Sequence, residues 1–242
     1  MILEVCANSY QSAINAQRAG AHRIELCSEL AVGGITPSYG LIKQVVSALS
    51  IPVFILVRPR SGNFTYTDAE IDIIKQDIEM CKGLGCMGVV SGVLNTDNTI
   101  DVERTKALVE CAKPLDFTFH RAFDWVPNPK EALQQLIKIG VNRVLTSGQQ
   151  ATAEQGIDLL SELKTRAKDT LEILPGGGIK PNNAVLFKQK GFSEIHVSAT
   201  SIKIVNERPT VPMNSDKFFD ETIISYSSIK TIEDILGIIG KV

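Results

Sequence analysis

Residues 2–6 read ILEVC, residues 23–26 read RIEL and residues 194–198 read EIHVS. Each run is short, rich in β-formers and alternates apolar with polar side chains, the pattern of a strand whose two faces meet different surroundings. Five more runs of strand character lie between them: VFILV at 53–57, MGVVS at 87–91, DFTFH at 116–120, RVLT at 143–146 and LEIL at 171–174. Their spacing is roughly 21 to 35 residues, the size of a βα unit.

Segments with helical periodicity fill the gaps. Residues 9–20 start on Ser and stop on Gly, and residues 67–85 start Thr-Asp-Ala-Glu and carry Ile71, Ile74, Ile78 and Leu84 on one stripe. Residues 101–112, 129–140, 153–167 and 181–191 repeat the scheme, with Pro181 expected at the first helical position, and a last helix is expected over 229–239. Eight strands alternating with helices predict an α/β fold of the (β/α)8 TIM type, a single domain over residues 1–242. An open doubly wound sheet is the competing arrangement. It usually carries G-x-G-x-x-G after the first strand, where this chain reads CANSYQS.

In a barrel the period of two sorts side chains between helices and lumen. Leu3, Val5, Ile24, Leu26, Ile195, Val197, Phe117 and Phe119 are expected to face the helices. Glu4, Cys6, Arg23, Glu25, Cys27, Thr118, His120, His196 and Ser198 are then expected inside. Buried carboxylates and imidazoles cost several kcal/mol unless paired, so this set predicts a polar site at the C-terminal mouth, where barrel enzymes work.

Each strand end adds a candidate. His120, in TFHRAFDW, suits general acid or base work, with Asp124 placed to orient it and Glu4 or Glu25 as a carboxylate partner. Arg58 and Arg60 bracket Pro59 and suit capture of a carboxylate or phosphate. Gly176, Gly177 and Gly178 open backbone N–H groups to an anion, with His196, Ser198 and Thr200 alongside on the neighbouring strand end. Cys6 and Cys27 each follow an inward Glu by two residues; on paired strands they would be neighbouring thiols, suited to soft Cu(I) or, equally, to plain burial. Cys81, Cys86 and Cys111 read as ordinary thiols.

The net charge of −2 gives no basic footprint for nucleic acid. No apolar run approaches the length of a membrane span, and the N-terminus lacks the features of a secretory signal. Five cysteines are an odd number and too few for a disulfide scaffold, which points to reduced thiols in the cytoplasm. Residues 201–228 are too long for an ordinary connection. They leave from the mouth, so they are expected to cover part of it or make a dimer contact, with Phe218, Phe219 and Tyr226 as anchors.

The ordered series LEVCANS, RIELCSEL, VGGITPS, RPR, GNFTYTDAE, TFHRAFD, RVLTSG, LPGGGI and HVSA, spanning residues 1–201, resembles the CutC family, named for copper homeostasis. The resemblance implies a cytoplasmic (β/α)8 barrel, a homodimer and a Cu(I) role, with Cys6 and Cys27 at the matching positions. Two readings follow. One is a copper-handling protein whose partner is the copper ion. The other is a barrel enzyme acting on a small anionic or phosphorylated metabolite.

Overall fold

The computed structural model describes residues 1–204, 210–213 and 220–240. Eight strands form one parallel sheet: β1 (Ile2–Ala7), β2 (Arg23–Leu26), β3 (Val53–Leu56), β4 (Gly88–Ser91), β5 (Asp116–Phe119), β6 (Arg143–Thr146), β7 (Glu172–Pro175) and β8 (Glu194–Val197). They are ordered β7-β6-β5-β4-β3-β2-β1-β8, and a parallel bridge between Gly176 and His196 joins the two ends, so the sheet curls into a nearly closed barrel. Gly176 is required at that seam: a Cβ there would meet Leu145 Cδ1 at 2.5 Å and His196 Cβ at 3.3 Å.

The helices are α1 (Tyr10–Arg18), α2 (Tyr39–Ala48), α3 (Asp68–Leu84), α4 (Val102–Ala112), α5 (Pro129–Lys138), α6 (Ile157–Ala167), α7 (Ala184–Gln189) and α8 (Ile229–Ile239). Their starts follow local chemistry. Ser9, Ser38, Asp101, Asn128 and Ser228 accept backbone N–H groups of the first turn. Thr67 and Glu70 close a reciprocal capping box on α3, and Gly85 ends that helix in the left-handed conformation. Leu3, Val5, Ile24, Leu26, Phe117, Ile195 and Val197 are all buried in one continuous core with the helices, as the period of two predicts.

Three boundaries differ from the sequence reading. α2 lies in a stretch where no helix was expected. α6 begins at Ile157 rather than at residue 153. α7 begins at Ala184, so Pro181 is not its first residue: the Asn183 side chain accepts the Lys180 N–H at 2.8 Å and holds a turn ahead of the helix. The segment after β8 is also more regular than expected. β9 (Thr200–Ile204) and β10 (Ile223–Ser227) pair as an antiparallel hairpin, which is tied to β1 and α1 by the bonds of Ser227 to Cys6 O and to Ser12 Oγ. Tyr226 lies in β10 opposite Ser201. Phe218 and Phe219 lie outside the described residues.

The N-terminal half of the lumen is filled by charge. Arg23 bridges Glu4 and Glu194, Arg143 pairs with Asp116 at 2.6 Å and with Glu194 at 3.4 Å, and both guanidiniums lie over the Phe54 ring at 5.0 and 4.7 Å. Above it sits a small apolar layer of Cys6, Cys27, Phe54, Leu56 and Val90.

Candidate functional site

The mouth is a cavity of about 950 Å³. Cys6, Glu25 and His196 stand on one wall, and their ligand atoms all lie within 4.8 Å of one another. Cys27 Sγ lies 3.6 Å from Cys6 Sγ. The strands do not pair with the two cysteines level: Cys6 is opposite Glu25. The thiols meet diagonally because Cys27 sits one inward position further along, just past the end of β2.

Electrostatics sort the acids of this wall. Burial acts most strongly on Glu4 and pushes it up, but Arg23 and His196 outweigh it and hold its carboxyl at about 2. Glu4 is therefore a fixed anion. It accepts from Arg23 and lies 2.7 Å from His196 Nδ1, and it does not line the cavity. Glu25 is the opposite case. Burial raises it to about 7, His196 opposing and Glu4 adding to the rise, and its Oε2 has no hydrogen-bond partner. His196 is raised well above its usual value: burial works against this, but Cys6, Glu4 and Glu25 prevail. The Cys6 thiol is raised by its contact with Cys27 and then by burial.

Glu25 yields a pH-dependent expectation. An acid at about 7 when folded against 4.5 when exposed contributes stability that is full below 4.5 and is lost as pH rises through about 7. That change corresponds to about 3 kcal/mol. Glu25→Gln should therefore gain thermal stability relative to wild type between pH 5 and pH 8. A melting difference that stays constant across that range would show that Glu25 ionises freely.

The opposite wall carries His120, buried at the end of β5 against Phe64, with ring centroids 4.8 Å apart. Ala122 N–H donates to its Nδ1 at 3.3 Å, and its Nε2 is buried without a partner. Burial first and then Arg58 lower its pKa to about 3, which keeps the ring neutral. His120 is bonded neither to Glu4 nor to Glu25.

Asp124 does not orient His120, contrary to the sequence expectation. Its carboxylate accepts from Thr146 Oγ1 and from the N–H groups of Ser147 and Gln149 and pairs with Arg121 at 2.8 Å, so it fixes the loop after β6. Arg58 lines the cavity, and its Nη1 and Nη2 donate to the carbonyls of Val32, Gly34 and Gly62 at 2.8–2.9 Å. Arg60 is not in the wall. It pairs with Glu70, donates to the carbonyls of Ser61, Asn63 and Thr65, and stacks on Tyr66. Gly177, Gly178, Ser198 and Thr200 line the mouth, whereas Gly176 belongs to the seam. Thr200 and Ala199 place the start of the post-β8 segment at the rim. Arg121, Trp125 and Lys180 line the cavity as well, and none of them was selected as a site residue from sequence.

The model of the CutC family matches residues 1–201, from β1 through the whole ring of strands. The chain belongs to the CutC family. CutC relatives match along most of their own lengths: a family protein CutC of Parabacteroides distasonis is 47% identical over 219 residues, 88% of this chain and 90% of the relative. A human protein named copper homeostasis protein cutC homolog is 45% identical over 203 residues, 84% of this chain and 74% of the relative. The crystal structure of a protein named CutC from Streptococcus agalactiae superposes with a TM-score of 0.77 at 34% identity, covering 82% of this chain and 98% of that one. The barrel alone is shared more widely: thiamine phosphate pyrophosphorylase of Pyrococcus furiosus has a TM-score of 0.61 at 15% identity, covering 98% of this chain and 95% of that one.

Proposed function

We propose that this CutC-family chain serves copper homeostasis in the cytoplasm by binding Cu(I) at Cys6 and Cys27. The observation that carries the proposal is the 3.6 Å approach of the two thiols, Cys6 lining the cavity and Cys27 fully buried beside it. Cu(I) is soft and prefers sulfur, and two thiolates side by side form a far better site for it than one. His196 and Glu25, whose ligand atoms are grouped with Cys6, are the further donors within reach. The names of the human and mouse relatives support a copper role. Free cysteines and the lack of any described helix long and apolar enough to cross a membrane are consistent with a reducing, aqueous compartment.

Anaerobic titration of the purified chain with Cu(I), in competition with a chromophoric chelator, tests this directly. The expected result is one Cu(I) taken from the chelator per chain. Binding releases thiol protons, so the affinity should increase from pH 6 to pH 8. Retention of all the copper by a chelator of moderate affinity would overturn the reading.

A further inference from the structure

The mouth is much larger than a metal ion needs. Its volume of about 950 Å³ falls near the top of the range typical of small-molecule sites, roughly 300–1,000 Å³. The Cys6–Glu25–His196 group takes up only the wall formed by β1, β2 and β8. The rest of the lining is chemically distinct, and it is positive.

Arg58 is 5% exposed; its guanidinium donates to three backbone carbonyls and lies over the Phe64 ring at 5.0 Å. Among the described ion pairs it has no acid, and its Nε is buried without any partner. A guanidinium cannot shed its charge, so a cation with no acidic partner among the described residues stands in the cavity lining. Lys180, exposed at the rim, has no acidic partner among the described residues either. Arg121 has its Nε and Nη2 held by Asp124 and Ser147, and it lies against the bare backbone of Gly177: a Cβ there would stand 3.5 Å from Arg121 Nη1. His120 adds a neutral donor. It is 6% exposed, its Nδ1 is occupied as an acceptor, and the ring proton therefore sits on Nε2, the buried atom that lacks a partner. His120, with its unpartnered Nε2, and Arg58, with its unpartnered Nε and no acid, both belong to the cavity lining, where a ligand can supply acceptors.

We propose that this wall binds a small organic anion, with a carboxylate or phosphate group offsetting the charge of Arg58 and Lys180 and an acceptor oxygen taking the His120 Nε2–H. The site is separate from the thiol pair and does not depend on metal being bound. The anion lies across the lumen from Cys6, and the cavity has room for both.

Trp125 is the only tryptophan of the chain, it is half-exposed in the cavity lining, and its ring packs edge-on against Phe64 at 4.9 Å, so its fluorescence reports on the mouth. The metal-free chain is titrated with inorganic phosphate, pyruvate and glycerol 3-phosphate, at constant ionic strength with chloride as the control. A saturable change with at least one of the three is expected, and the arm that saturates tells carboxylate from phosphate. His120→Phe should weaken that binding by roughly tenfold or more, the loss expected for a hydrogen bond to a charged group. Lys180→Ala should weaken it by roughly two- to fivefold. Arg58→Met is the most direct variant, but it also unties three loop carbonyls; Lys180→Ala alters an exposed side chain and keeps the test readable. Responses identical to chloride for all three probes would overturn the proposal. So would saturable binding that His120→Phe and Lys180→Ala leave unchanged, since the anion would then sit elsewhere.

Discussion

Cys6→Ser and Cys27→Ser should each remove high-affinity Cu(I) binding, and the double substitution should be little worse than either one. Each thiol supplies half of the paired-sulfur contact, and a hydroxyl is a poor ligand for a soft ion. The loss should exceed the roughly 10–100-fold that removal of a supporting residue costs a metal site. The fold should tolerate the change, because both residues are small and both lie in a layer of only a few apolar side chains. His120→Phe and Lys180→Ala, on the other wall, should leave Cu(I) affinity within about tenfold of wild type, below the effect of losing a direct ligand. The two sets of variants thus separate the metal wall from the anion wall. Equal Cu(I) affinity in wild type and both Ser variants would remove Cys6 and Cys27 as ligands.

The barrel was legible because its information is local and repeated. RIEL and EIHVS alternate strictly and ILEVC does so from Leu3 onward, and Thr67 with Glu70 marks a helix start in sequence alone. α2 was legible too, although no helix was expected there: Ser38 caps it, and Leu41, Ile42, Val45, Val46 and Leu49 form a stripe packed against the core. The hairpin after β8 was hidden in a long segment, because β9 ends at Ile204 and its partner β10 starts only at Ile223.

The site was legible in part. The inward set followed from the period of two, which brought Cys6, Glu25, His120 and His196 to one cavity. What each residue does there was not legible, because partners come from distant segments. Arg60 looked like the twin of Arg58, yet it turns to Glu70 and to nearby carbonyls. Asp124 looked like a companion to His120, yet its acceptors are used by the loop after β6. Backbone N–H and C=O groups carry no mark in a sequence, and they decided both cases.

Arg23→Met should lower the stability of the fold by about 3–5 kcal/mol, the usual result of removing one partner from a buried ionic group. Arg23 is 5% exposed and bridges Glu4, 1% exposed, to Glu194, 8% exposed. Methionine matches much of its length and can still pack on Phe54, so the loss is of charge rather than of volume. Glu194 retains Arg143, whereas Glu4 retains only His196. The pH dependence identifies the cause. Glu4 is held at about 2, so its share of wild-type stability is present above 4.5 and fades as pH falls toward 2. Without Arg23 its pKa must rise, and protonation then relieves the variant while wild type gains nothing comparable. The stability gap should therefore be widest at pH 7–8 and shrink toward pH 4, and adding Glu4→Gln to Arg23→Met should recover part of it. Chemical denaturation at the two pH values measures this; a gap independent of pH would mean that Arg23 acts by packing. Glu4 also fixes His196 beside Cys6, so the same substitution should loosen this wall although Arg23 itself does not line the cavity. The charged plug and the cavity wall are in this way one structure: the arginine holds the carboxylate, the carboxylate holds the imidazole, and the imidazole stands beside Cys6.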